Sequence, residues 1–375
     1  MSARSVIQAV RRRGIAEVVS HSNAGSGETE MKRLLGAMAA LIMTLAGGAA
    51  FAQDMMDIRI GAATASDHAP GFAGLERGIF AKHGLNAEIV MYPTGVEMIN
   101  GLMAGAQEVN LMGSIPFLAA ISNGLPLMLI GHLHGDPLSS SYSTGHSIVA
   151  GPDAGVAAGD VKALAGKRIG LPRGTGAEGY LLGHLKSNDM TADDVELVNI
   201  KPADLATALA QGDVDAIAIW EPWPSTAVVN VPGAVRVVDG GCGSCYIPAA
   251  ILTTRQVIAD QPELLRRFLA AFAEAQQWVR NNFDEAAEIN MRWIPGIDLA
   301  VMKEAIRQAG YDHRVSKLTL EGYQEKTMPS LVAGGRLKEV FDASPNIDPQ
   351  FYLHVEQSFP ELYADLPPIP EEIHY

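Results

Sequence analysis

The sequence predicts an α/β protein with two lobes, each a mostly parallel sheet flanked by helices, and a cleft between them. Three observations predict this class. The chain of 375 residues is long enough for two domains after an apolar N-terminal segment is set aside. Short apolar runs alternate with amphipathic stretches, a pattern typical of buried parallel strands joined by helical crossovers. One such strand-helix-strand-helix-strand unit also occurs twice along the chain.

Residues 31–52 ("MKRLLGAMAALIMTLAGGAAFA") have the three parts of a secretory signal peptide. Lys32 and Arg33 form the basic start, an apolar stretch follows, and Ala50-Phe51-Ala52 is a small-x-small cleavage site. We interpret residues 1–30 as a mis-assigned or disordered leader before a real start at Met31; a genuine basic extension is the alternative. The chain from residue 53 onward is therefore expected in the periplasm.

The charge of that exported part limits its partners. Removing residues 1–52 takes six of the 28 Lys and Arg and three of the 42 Asp and Glu, which leaves 22 against 39 and a net charge of −17. Such a surface repels nucleic acid and anionic lipid, so neither is expected to bind. We expect a monomer that binds a small solute.

The two copies of the repeat align at four landmarks with slowly drifting offsets, as small loop deletions would produce. The aligned pairs are Arg59-Ile60-Gly61 with Arg168-Ile169-Gly170, Glu88–Val90 with Glu196–Val198, Gly105 with Gly212, and Pro116 with Pro222. Turn-rich segments follow the first copy and the second, and each is a candidate crossing between lobes. We therefore expect one lobe from residues 54–145 plus 245–375, including a long helix after Pro262, and the other from residues 146–244.

The stretch 167–185 ("KRIGLPRGTGAEGYLLGHL") resembles a phosphate-binding loop, because a strand runs through a Gly-rich turn into a helix. It lacks the lysine of a Walker loop, and an exported chain has no nucleotide supply. Free N–H groups at a helix N-terminus still attract an anion. We expect Arg173, Gly174, Thr175 and Gly176 to contact a small ligand; the alternative is that these glycines only let the helix pack closely on the sheet.

Other candidate ligand-binding residues follow predicted strands, because open α/β sheets bind ligands at the carboxyl ends of their strands. These residues are Ser66, Asp67, His68, Thr94, Gly95, Gly113, Ser114, Trp220, Glu221 and, in the second crossing, Tyr246. Trp220 would wall the cleft or belong to the core. Glu221 would accept from a ligand amine, hold a cation, or form a structural ion pair.

Cys242 and Cys245 are the only cysteines in the chain. Export favours a disulfide between them. A reduced pair that touches the ligand or a soft metal is the alternative, and His132, His134 and His146 could join such a site. No cofactor and no metal is expected.

The chain resembles the nitrate/sulfonate/bicarbonate class of ABC-transporter solute-binding proteins, a group with taurine- and pyrimidine-precursor-binding members. The resemblance lies in residues 74–90, 98–127, 164–182, 209–223 ("LAQGDVDAIAIWEPW") and 251–279. It implies a type II-like periplasmic binding fold, and a solute-binding component of an importer whose partners are an inner-membrane permease and its ATPase.

Local donors at the cleft favour a small oxoanion or organic acid, such as a sulfonate or a nitrate-like ion, with Arg173 as counter-charge and Trp220 as a wall. Glu221 favours a zwitterion, a heterocyclic amine or a bridging metal ion instead. The alternatives are a pyrimidine-precursor or heterocycle binder, an enzyme of the same fold that acts in pyrimidine synthesis, and a solute sensor for a membrane kinase. The signal peptide and the single cysteine pair oppose the enzyme.

Overall fold

The computed structural model describes residues 54–375; the predicted leader and signal peptide lie outside them. Ten strands form two sheets. The strands are Met56–Ala63 (β1), Leu85–Tyr92 (β2), Val109–Gly113 (β3), Leu127–His134 (β4), His146–Ala150 (β5), Arg168–Leu171 (β6), Glu196–Asn199 (β7), Ala216–Trp220 (β8), Val235–Asp239 (β9) and Ala249–Thr254 (β10).

Helices cover both sheets and form most of the C-terminal third. They are Ala69–Glu76 (α1), Ile79–Lys82 (α2), Gly95–Met103 (α3), Ser114–Ser122 (α4), Gly176–Ser187 (α5), Leu205–Gln211 (α6), Trp223–Asn230 (α7), Arg255–Asp260 (α8), Pro262–Asn281 (α9), Phe283–Trp293 (α10), Leu299–Arg307 (α11), Lys317–Gly322 (α12), Met328–Ala333 (α13) and Gln350–Ser358 (α14). Within residues 54–375, none is long and apolar enough to cross a membrane.

The strand order is β2-β1-β3-β10-β4 in the first sheet and β7-β6-β8-β5-β9 in the second. In each, three strands of one repeat copy pair in parallel, and a fourth strand, β10 or β5, runs antiparallel between its neighbours. The chain passes from the first sheet to the second between β4 and β5, and returns between β9 and β10. The predicted two-lobed α/β fold is confirmed.

The repeat is also visible in its side chains. In the first copy, Arg59 donates from its backbone N–H to Glu108 Oε2 at 2.7 Å, and its guanidinium binds the same carboxylate. In the second copy, Arg168 binds Asp215 in the same way, with the backbone bond at 2.8 Å. Both arginines also donate to a carbonyl just before the acid, that of Gly105 or of Gly212. The matched contacts support the alignment made from sequence.

The long helix α9 packs on the first sheet through the apolar face predicted from its spacing. Leu265, Phe268 and Phe272 are fully buried, and Phe268 stacks on Phe80 with ring centroids 6.0 Å apart. After α12 the chain lies against the second sheet's helix α5, and α14 then returns to β4 and α9. The C-terminal third thus contacts both lobes.

Candidate functional site

A cavity of about 50 Å³ lies between the two lobes. It is bounded by the carboxyl ends of β1 and β3 from one sheet and by the segments that follow β6 and β8 in the other. Seven residues predicted from strand ends line it: Asp67, His68, Gly95, Gly113, Thr175, Gly176 and Trp220. The remainder of the lining is largely apolar and includes Met98, Met112, Pro116 and Ile247.

Two helix N-termini face this cavity from opposite lobes, that of α3 at Gly95 and that of α5 at Gly176. The first N–H groups of a helix have no partner within the helix and carry a partial positive charge, so both ends favour a negatively charged group. Within the second lobe, the close approach of α5 to the start of β5 requires Gly176, because a Cβ there would lie 2.9 Å from His146 Nε2.

Asp67 supplies the carboxylate of the cavity. The chain leaves β1 at Ala63 and forms a short 3-10 turn over Ser66–His68, which places Asp67 beside β4. Its Oδ2 lies 2.8 Å from Nε2 of His134, at the end of β4. Burial acts to raise the pKa of Asp67, but His68 and the hydrogen bond with His134 outweigh it and hold that pKa well below its usual range. The carboxylate is therefore ionised.

His134 is held on its other side by Tyr142, whose hydroxyl lies 2.9 Å from His134 Nδ1. That hydroxyl accepts the N–H of Gly310 at 3.0 Å, which leaves its hydrogen placed to donate to His134. Burial raises the pKa of Tyr142 to about 12, so the hydroxyl keeps its proton. A neutral His134 that donates from Nε2 to Asp67 satisfies every bond in this chain.

Two further histidines flank Asp67. His68 lies with Nε2 2.8 Å from the carbonyl of Leu111, while its Nδ1 has no hydrogen-bond partner and is 3.7 Å from Asp67. His146 comes from the other lobe, at the start of β5, and its Nδ1 faces the carbonyl of Thr144 at 3.3 Å. Burial lowers the pKa of His146 to about 4 against this carbonyl contact, so its ring is neutral at physiological pH.

Arg173 differs from its predicted role. It does not line the cavity; its Nε donates to Glu178 Oε1 at 2.7 Å. The same carboxylate accepts from the backbone N–H of Gly174 and from Arg336, in the C-terminal segment. Glu178 is the third residue of α5, and its side chain extends back toward the turn before the helix. It therefore neutralises the guanidinium of Arg173, which the sequence predicts as the counter-charge for an anionic ligand. Gly174 likewise lies outside the cavity lining.

The carboxylate of Glu221 also has internal partners. It accepts from Arg236 Nη2 at 2.8 Å and from the Ser225 hydroxyl at 2.9 Å, as in the predicted structural alternative. Glu221 borders a second, smaller cavity of about 20 Å³, together with Ser66. Its carbonyl accepts the N–H of Ser66 at 3.1 Å, so these two residues join the lobes through backbone atoms.

Three other predicted residues lie away from the lining. Thr94 is the N-cap of α3, in a capping box with Glu97, and contributes to the site only by fixing that helix end. Ser114 is fully buried. Tyr246 is buried beneath the C-terminal segment, where its hydroxyl lies 3.1 Å from Thr319 Oγ1. We had placed Ser114 and Tyr246 at the ligand, and neither reaches the cavity.

The cysteines are joined as a disulfide and are absent from the cavity lining. They pack against Gly183 of α5, on the helix whose N-terminus faces the cavity. Among residues 54–375, no group of three or more His, Cys, Asp or Glu is arranged to hold a metal ion.

Trp220 lines the cavity as a wall, in the position expected for it. Its indole Nε1 lies 3.4 Å from the carbonyl of Thr64 in the other lobe, and Trp223 Nε1 donates to the same carbonyl at 2.9 Å. Nearby, Val96 of α3 approaches Gly174 of the second lobe. These contacts bring the lobes together around the cavity, in a closed arrangement.

Residues 65–286 match the family described as NMT1/THI5 like. The chain belongs to this family. A Bacillus subtilis protein, named for binding aliphatic sulfonates, is 30% identical over 268 residues, which is 69% of this chain and 77% of that protein. The resemblance inferred from sequence is thereby confirmed.

Two solved structures share the fold. The alkanesulfonate-binding protein SsuA from Xanthomonas axonopodis pv. citri, bound to MOPS, is 21% identical with a TM-score of 0.68, and the match covers 79% of this chain and 99% of that one. The desulfurization enzyme DSZB is 17% identical with a TM-score of 0.57, covering 80% and 99%. Binding proteins and at least one enzyme therefore use this architecture.

Proposed function

We propose that this protein is the periplasmic solute-binding component of an ABC importer. It closes its two lobes over a small anionic or zwitterionic solute, a sulfonate or related acid, and delivers it to an inner-membrane permease with its ATPase. The observation that carries this proposal is the enclosed interlobe cavity, which two helix N-termini face from opposite sides. The names of the sulfonate-binding relatives point to the same class of ligand.

The cavity favours binding over catalysis. The alternative enzyme of the same fold would need a reactive nucleophile, and both cysteines are paired with each other outside the cavity lining. One oxygen of the Asp67 carboxylate, Oδ2, is bonded to His134 Nε2. These features support a site that holds its solute unchanged.

The test is a ligand screen on the purified exported protein. Sulfonates, nitrate, bicarbonate, aromatic acids and pyrimidines are compared by thermal unfolding, and each hit is titrated by calorimetry. A solute that binds only the folded protein stabilises it by about 2.7 kcal/mol when present at about 100 times its Kd. A shift with small acids, and recovery of the solute unchanged after incubation, would support the proposal. Turnover of the solute by the protein alone would contradict it.

A cavity-filling variant provides the control. A Cβ added at Gly113 would point across the cavity, with Gly176 N of the other lobe as its nearest neighbour at 4.0 Å. Gly113→Leu is therefore expected to abolish binding while the protein still folds. Gly243→Leu is the matched control, because a Cβ there meets nothing within 4 Å and the residue lies outside the cavity lining.

A further inference from the structure

The side chains that line the cavity offer hydrogen-bond acceptors and few donors. Neither Lys nor Arg is among the lining residues. The hydroxyl of Thr175 donates to the carbonyl of Pro172 at 2.7 Å, and the indole N–H of Trp220 faces Thr64. Both of these side-chain donors thus already have acceptors within the protein.

Two lining side chains, those of Asp67 and His146, offer hydrogen-bond acceptors. Asp67 Oδ1 has only His68 Nδ1 nearby, at 3.7 Å, while Oδ2 is taken by His134. His146 lines the cavity, and its Nδ1 faces a backbone carbonyl, so Nε2, beside Gly176, is the acceptor of the neutral ring. The Nδ1 of His68 is buried and unpartnered. A buried polar atom without a partner is unfavourable, and a ligand atom would satisfy it.

The hydrogen-bond donors and the hydrogen-bond acceptors come from different elements around the cavity. Backbone N–H donors come from the ends of α3 and α5, and acceptors come from the turn after β1 and the start of β5. A solute with an acidic group alone would satisfy only the donors. It would also place its charge near the ionised carboxylate of Asp67, and like charges at short distance repel each other.

We propose that the solute is a small zwitterion, whose acidic group lies at the N-termini of α3 and α5 and whose amino group donates to Asp67 and to His146 Nε2. This inference rests on the proposed solute-binding function and narrows its ligand class. Asp67 then takes the role that sequence reasoning gave to Glu221.

Two matched pairs of solutes test it on the purified protein by calorimetry: 2-aminoethanesulfonate against ethanesulfonate, and 3-aminopropanoate against propanoate. Within at least one pair, the amino compound is expected to bind about 10- to 100-fold more tightly, as for one or two hydrogen bonds to a charged group. Asp67→Asn should remove most of this preference and raise the affinity for ethanesulfonate, because it removes the negative charge that opposes the sulfonate. Asp57→Asn is the control, since Asp57 is an exposed carboxylate at the other end of β1.

The outcomes separate the two proposals. Equal affinity within each pair, or a preference that survives Asp67→Asn, overturns the zwitterion while the solute-binding function stands. Absence of binding for all four compounds overturns the zwitterion, and the acid-binding function with it. If Asp67→Asn does not fold, as judged by its thermal unfolding, the comparison of the paired solutes on the unchanged protein decides by itself.

Discussion

Three buried histidines should make the folded protein lose stability as the pH falls below about 6.5. Burial lowers the pKa of His132 and of His146 to about 4, and that of His313 to about 3, from an ordinary value of 6.5. His313 is held neutral by its bonds, because Nδ1 faces Gln276 Oε1 and Nε2 faces the hydroxyl of Tyr363, each at 2.8 Å. All three rings must therefore gain a proton when the chain unfolds in mild acid.

The sign and size follow from proton linkage. A base whose pKa is lower in the folded state contributes stability above its unfolded pKa, and this stability is lost as the pH falls toward the folded pKa. A pH of 5 lies about 1.5 units below the histidine pKa of the unfolded chain, and this difference lowers the free energy of unfolding by about 2 kcal/mol for each histidine. The three together amount to about 6 kcal/mol, comparable with the whole stability of many domains. His374 acts in the opposite direction, because its pKa is raised by the neighbouring carbonyl of Tyr375 and by Glu356.

Urea unfolding followed by tryptophan fluorescence between pH 8 and pH 4.5 measures this loss. His132 is the informative position, because neither ring nitrogen has a hydrogen-bond partner and its neighbours need no replacement donor. His132→Leu should reduce the loss between pH 8 and pH 5 by about 2 kcal/mol, since it removes one linked proton. His354→Gln, at an exposed position, should leave the loss unchanged. A pH-independent stability, or an unaltered loss in His132→Leu, would refute the reasoning.

Two further predictions concern packing and buried charge. Gly183→Ala should destabilise the folded protein by about 1–3 kcal/mol, because the new Cβ would clash with a disulfide sulfur. Gly243→Ala should cost less, because a Cβ there meets nothing within 4 Å. Equal melting temperatures for the two variants would contradict this prediction. Arg236→Leu leaves Glu221, whose pKa burial raises, without its cation, and should cost about 3–5 kcal/mol at pH 7.5 by urea titration. Arg266→Leu removes a partly exposed arginine that pairs with Glu263 at the surface and should cost under about 1 kcal/mol, so similar losses for the two variants would contradict this prediction.

The sequence predicted the lobes because their strands leave a local signal. Apolar runs such as those after Arg59 and Arg168 are buried on both faces, and the repeat shows which strands correspond. The residues at strand ends followed from the same topology, because carboxyl ends of parallel strands meet at one edge. The position of Asp67 and Gly176 at the cleft, where both line the cavity, could therefore be predicted without knowledge of any distant contact.

The residues predicted at the cleft but found outside the cavity lining have internal partners that the sequence analysis did not take into account. Arg173 was assigned to the ligand although Glu178, five residues later, stands where the first helical turn can reach it. Tyr246 is covered by residues near position 320, and no local sequence pattern predicts this contact. His134 and His146 lie on strands at the crossing between lobes, and their meeting with Asp67 depends on both sheets being in place. The sequence pointed to these two histidines only as possible partners of the cysteine pair, which lies outside the cavity lining. A histidine that begins or ends a strand beside a predicted crossing is the signal that places them at the cleft instead.

The paired clamps of Arg59 with Glu108 and of Arg168 with Asp215 lie before β3 and β8, whereas the cavity lies beyond the opposite ends of these strands. The ion pairs thus join the strands at one end of each sheet, and the candidate binding cavity lies at the other. For protein engineering, this separation means that the turn over residues 64–68 can be exchanged to accept a different solute without disturbing the ion pairs that align the strands. Each sheet with its ion pair would then be kept as a scaffold, and only the loops at the cavity end would be exchanged.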